Sequence, residues 1–418
     1  VKTAKSLFDR TDAMAFPINT PLAKKAPARH PCPMQRFTQS PTDPAFVADP
    51  YPFYARMRSS GDLAWWDDYA LPCAVSHRAV QALLRDKRLG RECPPELSPQ
   101  IPDHLRSFYD IEAHSMLELE PPRHTRLRSL VLRAFTSRRI KALAPDIAQQ
   151  THAAIDDFAG PQTDLLPAFC QPIPVRVICR LLGVPENMAP QLLTWSNAMV
   201  AMYQARRDRQ IEAAAAQAAS DFSAFLTDYI TRRRKAPGDD LLTHLIAAEE
   251  EGETLSTPEL IATCILLLNA GHEATVHTLG NGIKTLLETG TRITADTAEP
   301  VTEEILRFDA PVHWVNRKAT RDVEFHGQTV KAGERVYAFM GSANQDPRHY
   351  ENANQFRLDR GRGDHHSFGH GASVALQQFV DASIALWSYI RLKLLGIKIV
   401  ALMLSGLATR FTKSLCST

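Results

Sequence analysis

Near the middle of the chain, Ala270-Gly271-His272-Glu273-Ala274-Thr275 sets a carboxylate, an imidazole and a hydroxyl inside an otherwise apolar run. Polar groups in such a run are costly to bury without a partner or a task. Gly271 removes a side chain and lets a flat group lie against the helix, while Glu273 and Thr275 place an acid and an alcohol beside it. A kinked helix whose polar groups are satisfied fits the same residues. Further along, Glu304 and Arg307 stand three apart, the spacing at which a carboxylate and a guanidinium share one helical face and can pair. Alone, that pair reads as an ordinary surface ion pair.

The elements that must position these groups are legible around them. Ser256-Thr257-Pro258-Glu259 forms a capping box with proline in the first turn, directly ahead of LIATCILLLNAG. It marks the start of a long central helix, apolar on nearly every side as far as Asn269. Most segments from Ala79 to about Ile261 read as helices. Phe222, Phe225, Leu226 and Tyr229 recur as one apolar helical face, and the Arg232 to Lys235 run that follows suits a solvated helix end. After Pro311 the stretch DVEFHGQTVKAGERVYAF alternates apolar and polar residues around Gly327 and Gly333, as a small β-meander does. The expected fold is therefore mainly α with a small β region. Residues 1–45 read as an irregular lead-in, with order beginning at DPYPFYARMR, and one large domain is expected from residue 46.

Bulk properties narrow the function. A formal net charge of +2, from 48 basic and 46 acidic residues, gives no whole-chain attraction to nucleic acid or an anionic membrane. The seven cysteines have no CxxC or Cys/His spacing of a zinc site, which suits a reduced cytoplasmic protein. No transmembrane segment is expected: the central apolar run is too short, and Leu394 to Ala408 is interrupted by Lys398.

Order and spacing add to these readings. MLELEPPRHTRLRSLVLRAF, AGHEAT, EEILRFDAPV, an arginine followed by a meander, ANQDPRHYENANQFRLDR and HHSFGHG succeed one another from about Asp49 to Gly371. This succession resembles the cytochrome P450 superfamily in its soluble bacterial form. The resemblance implies the cytochrome P450 fold and a haem-thiolate monooxygenase that oxidises a small organic substrate with dioxygen, fed by a ferredoxin-type electron donor. His124, Arg128 and Arg317 match positions that bind the haem propionates, a sensible use of cations. Ala270 and Gly271 match the haem-facing stretch of the central helix, and Glu304 and Arg307 match a structural ExxR pair that locks the ANQDP-to-LDR segment. Glu273 matches the acid that guides protons during oxygen activation. The alcohol that usually follows it is replaced by Ala274, and Thr275 points about 100° further around the helix. Substrate would be met by loops around Arg91 to Ile111 and helices between Leu192 and Ala224; Met199, Met202 and Tyr203 suit either the pocket or, more simply, the core.

The resemblance stops after Phe368, Gly369 and Gly371, which match the opening of the loop that carries the iron's cysteine ligand. In the pattern F-x-x-G-x-x-x-C-x-G the cysteine falls at Ala375 and the last glycine at Gln377, so no metal ligand is present where the family has one. Residues 372–418 form a divergent apolar tail with a single acid, Asp381. Three accounts fit this break. One is a shifted reading frame or misassembled end behind an ordinary monooxygenase. The others are a haem-free auxiliary protein, such as a glycosyltransferase helper, and a decayed gene product. Retention of His124, Arg128, Glu273, Glu304, Arg307 and Arg317 favours the first.

Overall fold

The computed structural model describes residues 34–134, 142–158, 163–203, 207–250, 252–294, 296–360 and 364–369. The expected sites Gly371 and Ala375 lie outside the described residues. Helices carry most of the chain, and one six-stranded sheet stands to their side in the order β1-β2-β3-β10-β7-β4. Its strands are β1 (Arg36–Phe37), β2 (Leu63–Trp66), β3 (Leu71–Ala74), β4 (Leu89–Gly90), β7 (Val315–Ala319) and β10 (Arg335–Ala338). Two hairpins, β5 (Glu249–Glu250) with β6 (Glu253–Thr254) and β8 (Val323–Phe325) with β9 (Gln328–Val330), complete the strands among the described residues. The meander expected after Pro311 is therefore split. β8 and β9 pair only with each other, whereas β10 runs antiparallel to β7 and parallel to β3. The early strands β1 to β3 were not expected, and β1 with α1 (Pro44–Ala48) places ordered structure ahead of DPYPFYARMR. After α2 (Tyr51–Ser59), the alternation of burial along β2 and the mostly buried β3 feed a core rich in aromatic residues, with Phe46, Phe53, Tyr54, Trp66 and Phe339 in edge contacts.

Helices follow from caps and faces. Ser76 caps α3 (His77–Arg85) by accepting from the Ala79 amide. α4 (Arg106–Glu112), α5 (Arg123–Ala134), α6 (Ala144–Asp156), α7 (Pro172–Leu182) and α8 (Ala189–Val200) lead to α9 (Arg209–Lys235). α7 ends at Gly183, which is left-handed at φ 74° and lies so near Asp240 that a Cβ would sit 2.3 Å from the carboxylate, so only glycine fits. α9 buries Phe222 and Leu226 with Phe225 and Tyr229 packed alongside, the face its spacing predicts. After α10 (Leu241–Ala247), α11 (Thr257–Thr289) begins at the expected capping box, in which Ser256 and Glu259 each bond the other's backbone. This 33-residue helix runs through the centre without a break at Ala270–Thr275 and touches α7, α8, α9 and α12 (Ala298–Phe308). No helix among the described residues is long and apolar enough to cross a membrane.

Candidate functional site

The sharpest feature is the Glu304–Arg307 pair. It is not at the surface: its residues are 4% and 1% exposed on α12. Arg307 has five N–H donors, and all five are used. Nε and Nη2 grip the Glu304 carboxylate at 2.8 and 2.7 Å. Nη1 donates to the Asn344 and Ala353 carbonyls at 2.7 and 2.8 Å, and Nη2 to Gln355 at 3.1 Å. Glu304 in turn accepts from the Arg357 amide and Arg360 Nε. The pair thus ties Ala343-Asn344-Gln345-Asp346-Pro347 to the segment ending at Arg360.

Asn344 continues that tie, a role no spacing rule singled out. It follows the short helix α13 (Met340–Ala343). Its side chain accepts from the His366 amide at 2.7 Å and donates to Ser367 Oγ, which itself donates to the Leu306 carbonyl at 2.6 Å. The start of the segment HHSFGHG is held onto α12 in this way. Gly369 is buried and left-handed at φ 73°, and its amide closes a turn on the His366 carbonyl, while Phe368 rests half-buried against His365.

On α11, Ala270, Gly271, Glu273 and Thr275 are all buried. The Thr275 hydroxyl donates to the Gly271 carbonyl at 2.7 Å, one turn back along its own helix. Glu273 Oε1 lies 3.8 Å from His277 Nε2, and its Oε2 is buried without a hydrogen bond. His272 is buried among apolar neighbours, which push its imidazole down to about 4, with His277 adding to the effect.

His124 and Arg128 sit one turn apart on α5. His124 is 3% exposed, and its Nε2 has no hydrogen-bond partner; burial first, then the Arg128 charge, lowers its pKa. Arg317 on β7 is 4% exposed and is lowered to about 9 by burial and by Arg91, against the pull of Glu120 and Glu118. Arg91, which the motifs did not assign to the cofactor, shares the Asn316 carbonyl with Arg317 and pairs with Glu118. Its sequence signal is slight, since an arginine between Gly90 and Glu92 matches no motif. Beside this cluster opens a cavity of about 760 Å³ that meets Arg91, Tyr109, Glu112, Glu118 and Lys318. It takes residues from the expected loop region Arg91 to Ile111, whereas Met199, Met202 and Tyr203 belong to the core. Tyr203 donates to Glu112 at 3.1 Å, and burial followed by the Glu118 charge raises Glu112 to about 8. None of the α11 residues lines that cavity.

A haem carries two carboxylates, and the buried partnerless nitrogen of His124 beside Arg128 is a site such a group satisfies. The iron's side does not fit as well. The sequence offers Ala375 where a thiolate is needed, and burial pushes Cys170, Cys179 and Cys264 to about 12, 11 and 12, far from a thiolate at neutral pH.

Helices around a long central element, a mixed sheet at one side, and a buried Glu–Arg pair ahead of a glycine-bearing turn define the class of haem-dependent monooxygenase-like folds. The chain belongs to the cytochrome P450 family. The Cytochrome P450 family model matches residues 298–369. Cytochrome P450 107B1 of Saccharopolyspora erythraea is 34% identical over 354 residues, which cover 79% of this chain and 83% of the relative. Cytochrome P450 monooxygenase PikC of Streptomyces venezuelae is 32% identical over 346 residues, covering 78% and 79%. The crystal structure of P450BioI with an acyl carrier protein bearing hexadec-9Z-enoic acid superposes with a TM-score of 0.75 at 28% identity, over 83% of this chain and 91% of that one. The family's cofactor is haem.

Proposed function

We propose that this chain is the body of a bacterial cytochrome P450 monooxygenase, built to hold haem but lacking the cysteine that would bind its iron. As it stands it does not run the family's oxygen chemistry. The observation that carries the reading is the buried, partnerless His124 Nε2 beside Arg128, in a chain whose expected ligand position is Ala375. When bound, haem supplies the redox chemistry by which family members insert one oxygen atom into an organic substrate. His124, Arg128 and Arg317 hold the propionates, and Ala270 and Gly271 keep the face of the central helix low enough for a flat ring. Phe368, Gly369 and Gly371 open the ligand loop, and Glu304 with Arg307 fixes the segment that leads to it. Glu273 turns a buried Oε2 with no hydrogen-bond partner toward this region, whereas the Thr275 hydroxyl is engaged by its own helix, which weakens the relay that family members run through an alcohol.

Residues 46–371 form the P450 domain, and residues 372–418 are the product of a shifted reading frame. The match of the family model up to residue 369 supports that boundary. The substrate is a small organic molecule taken up beside Arg91 and Glu112, electrons come from a ferredoxin-type donor, and the compartment is the cytoplasm, in keeping with the unpaired Cys73, Cys170, Cys179 and Cys264.

The test is an absorbance spectrum of the purified chain, expressed with haem supplied, reduced and exposed to carbon monoxide. Haem uptake without the thiolate-shifted band is expected. A thiolate-type band would overturn the missing-ligand reading. A haem-free chain that co-purifies with a stable partner would replace the whole reading with that of an auxiliary protein.

A further inference from the structure

Away from the central helix, three segments far apart in sequence bring two imidazoles and a carboxylate together. His77 is the first residue of α3, His349 follows the ANQDP segment, and Asp364 precedes HHSFGHG. His77 Nε2 lies 3.4 Å from one Asp364 carboxylate oxygen, and His349 Nε2 lies 3.3 Å from the other. The two rings stack at 3.4 Å between centroids and 7° between planes. We propose that His77, His349 and Asp364 form a binding site for one divalent transition-metal ion of the zinc type.

The donor set and the spacing both support this assignment. Two imidazole nitrogens with one carboxylate oxygen suit zinc and its neighbours, whereas calcium and magnesium favour oxygen alone. Ligands about 2.0–2.1 Å from a tetrahedral ion lie roughly 3.4 Å from one another. The three candidate atoms fall within 4.8 Å of each other; His77 Nε2 already stands at about the tetrahedral separation from one Asp364 oxygen and His349 Nε2 from the other. In the stack the two ring planes run parallel, so the part-exposed His349 ring must turn out of it before both in-plane nitrogen lone pairs point at one ion. A metal needs neutral imidazoles, and His77 is buried at the start of α3.

Asp346 holds the arrangement in place. Its carboxylate accepts from the His77 amide at 2.9 Å and from Arg348, while its carbonyl accepts from the His349 amide at 3.0 Å. The Asp364 carbonyl also accepts from His77 Nε2 at 3.3 Å, a bond the ion would replace. His77 is buried, whereas the His349 and Asp364 side chains are 36% and 57% exposed, which leaves the fourth position open to water. Bound there, the ion would pin α3 to the two segments that lead into the ligand loop. This inference does not depend on whether the chain keeps haem.

The test uses the full-length chain, stripped with chelator and titrated with Zn²⁺ by calorimetry and with Co²⁺ by absorbance. One stoichiometric site with tetrahedral Co²⁺ bands and no thiolate charge transfer is expected. His349→Ala and Asp364→Asn, both at exposed side chains, should weaken that site by on the order of tenfold or more, while His152→Ala leaves it unchanged; circular dichroism checks that each variant is folded. Equal binding by the wild-type chain and both variants, a thiolate charge-transfer signature, or no binding by the wild type would each overturn the proposal.

Discussion

Arg307 spends all five of its donors on partners in three segments, and Arg360, which also reaches Glu304 and the Gln355 carbonyl, shares only part of that role. Removing it leaves the Glu304 carboxylate buried among the Arg357 amide and Arg360, and strands the carbonyls of Asn344 and Ala353. Breaking a buried pair from one side costs about 3–5 kcal/mol. Arg307→Ala should therefore lower the urea midpoint by that equivalent, and Arg307→Lys should recover only part, because a point charge cannot reproduce the planar fork. A loss under about 1 kcal/mol would return the pair to the status of an exposed ion pair. A second residue predicts a pH effect. Glu112 ordinarily titrates near 4.5, but burial and the Glu118 charge raise it to about 8, against the Tyr203 bond and Arg91. Between those values the folded chain keeps a proton that the unfolded chain has released, so this group's contribution falls as pH rises. Glu112→Gln should gain on the wild type from pH 5 to pH 8.5 in paired urea titrations; a difference that stays flat with pH would show that Glu112 is ionised in the fold.

At the scale of elements, what could be read in the sequence followed the reach of the signal. The capping box at Ser256 is local, four residues long, and it set the start of α11 correctly. The same holds for the apolar face of α9, where i, i+3, i+4 spacing is the whole message. β1 to β3 were missed because RF, LAWW and LPCA are short; β1 and β2 find their partners nearby, and only β3 also joins a distant strand, β10, more than two hundred residues on. ExxR was legible as a pattern, but its burial was not, since that depends on Asn344, Ala353 and Gln355 arriving from elsewhere. The Asn344 clamp was hidden within a recognised segment for the same reason. The cap also yields a prediction. Ser256→Ala removes the acceptor for the Glu259 amide and should cost about 1 kcal/mol. Glu259 retains its contact with Arg126, so loss of the whole helix is not expected. Thermal unfolding by circular dichroism reads the shift, and an unchanged midpoint would mean that burial of α11 alone sets its start.

Across the whole molecule, α5, β7 and the strand end at Arg91 bring cations into a protein interior where their charge is costly. Arg317 is the clearest case, lowered to about 9 chiefly by burial. The fold tolerates that cost if an anion arrives there after folding, and in the function proposed above that anion is a haem propionate. The sign of the effect can be tested without any turnover. In the absence of haem, Arg317→Ala removes a desolvated charge and should melt at or slightly above the wild-type temperature. With haem added at about a hundred times its dissociation constant, the wild-type chain should gain roughly 2.7 kcal/mol, whereas the variant, having lost a propionate contact, gains less, and the order of melting reverses. Differential scanning calorimetry with and without haem reads both halves. If haem moves neither protein, the retained cations serve the fold alone, and the chain is better described as a haem-free member of its family.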